Sequence, residues 1–162
     1  MTDELVEHID ESGAVLAVVS RAEMRANRLR HRCVYIAVTT SAGELVVHRR
    51  ADWKDVWPGR WDLAFGGVVT VGEEWADAAT RELAEEAGID GPRLREIGAG
   101  SYTDDDVAVL GRVYRVEWDG ALDFADGEVA ESAVVRLEDL DGWLAGRSMC
   151  PDSVALVRPL LA

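Results

Sequence analysis

The chain has 162 residues, of which 48% are hydrophobic and 30% are charged, and its formal net charge is −14. This length predicts a single domain over residues 1–162 with a hydrophobic core of its own. The negative charge excludes unspecific binding to a nucleic-acid backbone, and no apolar run reaches the ~18 residues of a membrane span. The acidic N-terminus lacks an apolar signal region, and two cysteines are too few for a disulfide framework, so we expect a cytoplasmic protein with reduced thiols.

The first third of the chain predicts a hairpin, a short helix and two strands. The hairpin lies within residues 1–20 and turns at residues 11–13. Ser20 is a suitable cap for the helix that follows it. The segment 33–38 is rich in β-branched residues and predicts a strand. A turn at residues 41–43 leads into a second strand over residues 44–50. A loop rich in tryptophan comes next.

A helix is predicted from about Glu74 to Ala87, and Gly88 suits its C-cap. Its apolar stripe consists of Ala76, Ala79, Leu83 and Ala87. The stripe is expected to face the core.

The second half of the chain predicts three further strands and two helices. A hairpin joins residues 93–102 to residues 107–118, and a last strand covers residues 132–137. Short helices follow near residues 138–145 and 152–161. This order of elements fits an α/β or α+β fold, with a mixed sheet between helices.

Charged residues are concentrated on the predicted central helix. Arg81, Glu82, Glu85 and Glu86 lie within six residues. At about 100° per residue, the three glutamates occupy an arc roughly 100° wide, where like charges repel. A hard divalent cation such as magnesium would bind several such oxygens together with substrate phosphates. The acidic pair taken alone leaves a second interpretation open, a solvated acidic face.

The surrounding pattern decides between these interpretations. Gly67, Glu73, Arg81-Glu82-Leu83, Glu85-Glu86 and Gly88-Ile89 match the Nudix box, G-x5-E-x7-R-E-U-x-E-E-x-G-U with U aliphatic, at every specified position. The chain therefore resembles the Nudix hydrolases, which cleave the diphosphate linkage of nucleoside diphosphates joined to another group and use magnesium or manganese. The resemblance implies an α/β/α sandwich with a mixed sheet, to which residues 1–20 add a hairpin.

The same resemblance implies the residues of the site. Glu82, Glu85 and Glu86 would be the metal ligands, and one of them would also orient the attacking water. The family places the carbonyl of the box glycine, or of its neighbour, near the metal, which points to Gly66-Gly67. Two glycines also let the backbone approach an ion and its phosphates closely.

Two other parts of the predicted site lie outside the glutamate arc. Arg81 is expected to pair with Glu85 at i,i+4 and with Glu73, and its charge would stabilise the ionised carboxylates. A further acid from a late loop often completes the family's metal site. In this chain Glu128 is favoured over Glu131 for that place, with a loop glutamate in water as the alternative.

The sequence does not identify the substrate, because loops outside the box select the group attached to the diphosphate. A small-molecule diphosphate is implied, with a preference for a nucleoside diphosphate or a derivative of one. On so acidic a chain the phosphates need local basic residues, which segments 28–32 and 48–50 supply. Monomers and homodimers both fit the family.

The loop at residues 51–61 offers three tryptophans and two cations that could contact a nucleotide. The tryptophans would either stack on a base or plug the core. The residues concerned are Trp53, Trp57, Trp61, Lys54 and Arg60.

A rival function comes from a closer resemblance. Segments 29–38 and 45–69 are similar to the branch of the superfamily that contains isopentenyl-diphosphate isomerase. In our alignment the catalytic cysteine and a metal-binding histidine of that enzyme fall on Gly66 and Val68. Their loss argues against isomerisation, and the intact box argues for hydrolysis. A non-catalytic Nudix-fold binding module is a third alternative, although such proteins tend to lose box acids.

Three other positions of that branch have uncertain counterparts here. His31 matches another metal-binding histidine, and Asp104 and Asp106 match a later acidic pair. His31 is either a substrate contact or a buried structural histidine at the start of a strand, and we favour the second interpretation.

Overall fold

The computed structural model describes residues 4–161. The strands within this range are β1 (Leu5–Ile9), β2 (Val15–Ser20), β3 (His31–Thr39), β4 (Glu44–Arg50), β5 (Trp61–Asp62), β6 (Phe65–Val68), β7 (Arg95–Thr103), β8 (Ala108–Glu117) and β9 (Val129–Arg136). The helices are α1 (Arg21–Ala26), α2 (Trp75–Ala87), α3 (Leu140–Leu144) and α4 (Pro151–Leu156), with 3-10 turns at Leu137–Asp139 and Arg158–Leu160. None of these helices is long and apolar enough to cross a membrane.

Seven strands form one mixed sheet. Its main path runs β5-β4-β3-β8-β7, while β6 pairs with β3 and β9 pairs with β4. β3 and β8 are parallel along their whole length, whereas β3 meets β4 only at Thr39 and Leu45. β3 and β4 therefore diverge beyond this pair of residues. β6 pairs with the edge of β3 that β4 leaves open.

Both faces of the sheet are buried, which confirms the predicted sandwich. Successive side chains of a strand point to opposite faces. Val34, Ile36 and Val38 of β3 accordingly pack in the hydrophobic cluster beneath α2. Cys33 and Tyr35 pack in the cluster on the other face, with the C-terminal helices.

The predicted N-terminal hairpin is also confirmed. β1 and β2 form a separate two-stranded sheet, and Val6 and Ile9 anchor it to the core with exposures of 0% and 1%. The guanidinium of Arg32 donates to the carboxylate of Glu7 over 2.6 Å. Ser20 caps α1 as predicted, since its hydroxyl accepts from the backbone N–H of Glu23.

Helix α2 ends where the sequence predicted, at Gly88, whose φ of 70° is left-handed. Its buried face differs from the predicted stripe, because Ala76 is exposed and Ala78 is buried. The buried face also includes Glu86. The helix is thus rotated so that this carboxylate points into the protein.

The last strand begins three residues earlier than predicted. β9 starts at Val129 because it pairs with β4 from Arg50 back to Glu44. This register places Glu131 inside the strand and Glu128 immediately before it.

Candidate active site

A cavity of about 750 Å³ opens between α2, the loop at residues 51–60 and the first half of β3. It lies where β3 and β4 diverge, so backbone as well as side chains lines it. Gly66, Gly67, Arg81, Glu82, Glu85 and Glu128 all contribute to its wall. The structure therefore gathers most of the predicted site residues around one space.

Arg81 connects the acids of the box. Its guanidinium donates to both carboxylate oxygens of Glu73, over 2.8 and 2.9 Å. Its Nη1 also lies 2.9 Å from Oε1 of Glu82 and 3.3 Å from Oε2 of Glu85. Hydrogen bonds from Arg81, helped by the backbone N–H of Thr70, lower the pKa of Glu73 to about 2. Both contacts expected for Arg81 are present.

Glu82 lies in an environment that opposes ionisation of its carboxyl group. Burial, together with the charges of Glu86 and Glu85, raises its pKa to about 7, although the charge of Arg81 opposes this shift. The side chain lies so close to β6 that a Cβ on Gly67 would fall 2.6 Å from Oε1 of Glu82. A glycine is required there for the carboxylate to approach the strand backbone.

Glu86 lies deeper, with only 4% of its surface exposed. Its Oε2 accepts from the backbone N–H of Gly66 over 3.4 Å, and its Oε1 is 3.3 Å from Nε2 of His48. That second contact is close but lacks the alignment of a hydrogen bond. His48 is fully buried and stacks on Phe65, with ring centroids 4.4 Å apart.

His48 is a site neighbour that the sequence analysis missed, because it was grouped with the basic segment 48–50. The sequence did contain a pattern that indicates the position of His48. Period-two alternation along β4 puts His48 on the same face as Val46, which belongs to the core beneath α2.

Glu128 reaches the cavity, and Glu131 does not. Nζ of Lys54 lies 3.0 Å from Oε1 of Glu128, and both side chains line the cavity. Glu131 pairs instead with Arg49 on the neighbouring strand, over 3.1 Å.

Among residues 4–161, no three His, Cys, Asp or Glu side chains are already assembled around one point as a metal site. Cationic side chains form ion pairs with the carboxylates instead. Arg81 contacts Glu82 and Glu85, and Lys54 contacts Glu128.

The three tryptophans of the loop have different positions. Trp61 packs edge-on against Trp143 in the core, at 5.1 Å between ring centroids. Trp53 and Trp57 line the cavity, and Trp53 is 64% exposed. Stacking of a base on either of these two remains a prediction.

Of the two cations considered for a phosphate, only Lys54 lines the cavity, whereas Arg60 donates to the carbonyl of Met149. Asp104 serves the turn between β7 and β8, since it accepts from the backbone N–H groups of Asp106 and Val107. His31 is 1% exposed, as the favoured interpretation expected, yet it also lines the cavity.

A second polar group, formed by Tyr35 and Asp152, also lines the cavity, and the sequence analysis did not single it out. The hydroxyl of Tyr35 donates to Oδ2 of Asp152 over 2.7 Å, and the backbone N–H of Ser153 donates to Oδ1. Burial, together with the charge of Asp62, raises the pKa of Asp152 to about 6. A signal was available in the sequence, because an acid directly after Pro151 is typical of a first helical turn.

This raised pKa predicts a pH effect on stability. The pKa of Asp152 in the folded protein, about 6, exceeds the ordinary aspartate pKa of 3.8, so ionisation of this group weakens the fold. Its favourable contribution is complete below about pH 4 and is lost as the pH rises through 6. The Asp152→Asn variant has no ionisable group at this position. Between pH 4 and 8 its free energy of unfolding should therefore fall by up to about 3 kcal/mol less than that of the wild type. Urea unfolding of both proteins at pH 4, 6 and 8 measures the difference, and parallel curves would contradict it.

The backbone at Gly66 bears on the rival isomerase function. A Cβ at this position would fall 1.9 Å from the carbonyl oxygen of Val34 on the paired strand. The present backbone therefore has no room for the cysteine that isomerases carry at the matching position.

Comparison with known proteins identifies the family. The NUDIX domain profile matches residues 29–152. The chain belongs to the Nudix hydrolase family. An uncharacterised Nudix hydrolase of Pseudomonas aeruginosa is 38% identical over 155 residues, which cover 96% of this chain and 92% of that protein. The uncharacterised Nudix hydrolase YfcD of Escherichia coli K12 is 36% identical over 137 residues, 85% of this chain and 76% of YfcD.

Solved structures share the fold. The Deinococcus radiodurans protein DR0079 superposes with a TM-score of 0.81 at 23% identity, covering 98% of this chain and 97% of that one. The Nudix domain of Shewanella oneidensis NrtR, solved with ADP ribose, gives a TM-score of 0.63 at 16% identity and covers 85% of this chain and 94% of its own. Nudix hydrolases in general cleave diphosphate linkages with the help of divalent metals, and this Nudix hydrolase has the complete box.

Proposed function

We propose that this Nudix hydrolase cleaves the diphosphate linkage of a nucleoside diphosphate or a nucleoside diphosphate derivative, using Mg²⁺ or Mn²⁺. One observation carries the proposal. The acids Glu82, Glu85 and Glu128, which come from two distant parts of the chain, line the same cavity as the Gly67 backbone.

The donor set fits a hard divalent cation. Carboxylate and carbonyl oxygens are the ligands that magnesium and manganese prefer. The Glu82 carboxylate also needs positive charge nearby, because burial opposes its ionisation. Glu82, Glu85, Glu86, Glu128 and the carbonyl of Gly67 would hold the ion. When bound, the cation neutralises phosphate oxygens and lowers the pKa of a coordinated water.

The remaining steps belong to side chains of this chain. Arg81 positions Glu82 and Glu85, and its two hydrogen bonds to the ionised Glu73 fix the guanidinium itself. One of the helix acids orients the attacking water. The ammonium of Lys54 lies at the cavity wall and would contact the phosphates of the substrate.

A nucleotide substrate is supported by the shape and chemistry of the cavity. Trp53 and Trp57 supply aromatic surface beside the acidic wall. The NrtR domain, which has the same fold, was solved with ADP ribose, a nucleoside diphosphate derivative. We therefore propose a small-molecule substrate, and a monomer or a homodimer as the active form. The buried free thiols of Cys33 and Cys150 support the cytoplasmic location that we propose.

Hydrolysis should require a divalent cation. A panel of nucleoside triphosphates, nucleotide sugars, ADP ribose and dinucleoside polyphosphates is incubated with Mg²⁺ or Mn²⁺, and phosphate-containing products are measured. Excess chelator should abolish turnover, and added Mg²⁺ should restore it. Full activity in excess chelator would contradict the metal assignment, and no turnover across the panel would favour a binding module.

Isomerase activity on isopentenyl diphosphate should be absent. Gly66 and Val68 offer neither a proton donor nor a metal ligand, and the backbone leaves no space for a side chain at Gly66. Product analysis after incubation with Mg²⁺ tests this expectation, with an authentic isomerase as positive control. Dimethylallyl diphosphate above background would reverse the ranking of the two enzymes.

A further inference from the structure

One wall of the cavity contains a polar atom that the proposed hydrolysis does not use. His31, Cys33 and Tyr35 alternate along β3, so they share one face of the strand, and all three line the cavity. His31 is the first of the three along β3 and the most deeply buried, with 1% of its surface exposed. A histidine so deeply buried should have both ring nitrogens satisfied.

Only one of its nitrogens has a partner. Nδ1 of His31 lies 2.9 Å from the carbonyl oxygen of Leu29, and a carbonyl can only accept, so Nδ1 carries the proton. Burial, with a smaller effect of Arg25 and Arg21, lowers the pKa of His31 to about 4, so the ring is neutral near pH 7. Nε2 is therefore an acceptor, and no residue within 4–161 donates to it.

The cations nearest to His31, Arg25 and Arg21, both pair with Asp55, and apolar side chains border this part of the cavity. Val109 is its direct neighbour on β8, and Val56 and Trp57 line the cavity from the loop at residues 51–60. The nearby guanidinium of Arg25 is engaged by Asp55 over 3.2 Å. A buried acceptor left without a donor is unfavourable, and a ligand with a donor would remove this cost.

The position along the strand relates His31 to the diphosphate site. Gly67 pairs with Val34, which is three residues from His31. At about 3.3 Å per residue, the two positions are roughly 10 Å apart. A nucleoside attached to a diphosphate at Gly67 extends over a comparable length.

We propose that this end of the cavity is a subsite for the organic group attached to the diphosphate, and that Nε2 of His31 accepts a hydrogen bond from it. The group has a flat or apolar body, held between Val109 and Trp57, and an N–H or O–H donor at its edge, as nucleosides have. The inference rests on the proposed function, because it takes the diphosphate to lie at Gly67. It assigns His31 to binding the substrate, whereas the box performs hydrolysis.

Equilibrium binding tests the subsite without any need for turnover. Isothermal titration calorimetry is performed with adenosine and cytidine 5′-monophosphates and with phenyl phosphate, whose ring has no donor. His31→Phe keeps a planar ring and removes the acceptor, and it should weaken binding of both nucleotides about tenfold without affecting phenyl phosphate. His31→Gln retains an acceptor and should restore part of the loss. Thermal unfolding should show at most a small loss of stability in His31→Phe, because the substitution removes the hydrogen bond from Nδ1 to the carbonyl of Leu29 together with the unpartnered Nε2.

Two results would overturn the subsite. Equal weakening of phenyl phosphate and the nucleotides would make His31 a structural residue, and so would unchanged binding of all three probes. If His31→Phe does not fold, His31→Leu carries the same comparison. Hydrolysis by the wild type separates the two proposals: turnover of diphosphates with nucleotide binding insensitive to His31 refutes the subsite alone, whereas neither turnover nor nucleotide binding refutes both.

Discussion

Replacing Glu82 or Glu86 by glutamine is expected to lower kcat at least ~100-fold, because a neutral amide is a poorer cation ligand and stabilises less charge in the transition state. Neither substitution should unfold the protein. Glu82 is a buried carboxylate whose ionisation is already opposed by burial and by Glu86, so removing its charge relieves repulsion. The amide of Glu86→Gln can still accept from the backbone N–H of Gly66.

The network around Arg81 supports the same expectation. In Glu82→Gln the guanidinium keeps its two hydrogen bonds to Glu73, so the link between the loop and α2 survives. Glu82→Gln should therefore lose catalytic activity without losing stability. This separates the chemical role of the carboxylate from its packing.

The measurement combines steady-state kinetics with thermal unfolding of each variant. Glu74→Gln is a matched control, since this exposed residue lies at the start of the same helix and makes no capping hydrogen bond. It undergoes the same change of charge and should retain wild-type kcat. Early melting of both Glu82→Gln and Glu86→Gln would show that the acids are structural.

Local patterns explain what the sequence could predict. β4 covers residues 44–50 as expected, because a turn leads directly into its apolar residues. Helix α2 ends at Gly88 because a glycine takes the left-handed conformation without strain. The pairing of Arg81 with Glu85 follows from i,i+4 spacing. Each of these depends on residues close in sequence.

Long-range contacts explain what it could not. The neighbour of Glu86 is His48, on a strand 38 positions earlier, and strand alternation shows which face His48 occupies but not what lies opposite it. Asp152 likewise meets Tyr35 only once the C-terminal helices close over the sheet. The start of β9 was missed for a related reason, since its register depends on β4.

The last prediction concerns Glu128, which no part of the box requires. Its carboxylate lies before β9, 3.0 Å from the ammonium of Lys54, in the cavity that Glu82 also lines. In the absence of a cation, Lys54 supplies the opposing charge. If Glu128 is a ligand, the cation takes over that carboxylate and Lys54 becomes free to contact substrate phosphates.

Glu128→Gln should therefore raise the Mg²⁺ concentration for half-maximal rate by about tenfold. The kcat should also fall, but less than in Glu86→Gln, because the helix acids would retain most of the coordination. The fold should be unaffected, since the contribution of a partly exposed ion pair such as that of Lys54 with Glu128 is about 1 kcal/mol or less. Mg²⁺ titrations at saturating substrate provide the measurement.

Glu131→Gln is the matched control for this test. Glu131 lies three residues further on, within β9, where it pairs with Arg49 and does not line the cavity. The substitution changes the charge by the same amount in the same part of the chain, so it should leave the metal dependence as it is in the wild type. A shift in the metal dependence of Glu131→Gln, without one in Glu128→Gln, would mean that Glu131 and not Glu128 is the late acid of the metal site. No shift in either variant would mean that α2 and the Gly66-Gly67 backbone complete the site. Of the other late acids considered, Asp104 accepts from the backbone of its own turn, and Asp106 accepts from the indole N–H of Trp57.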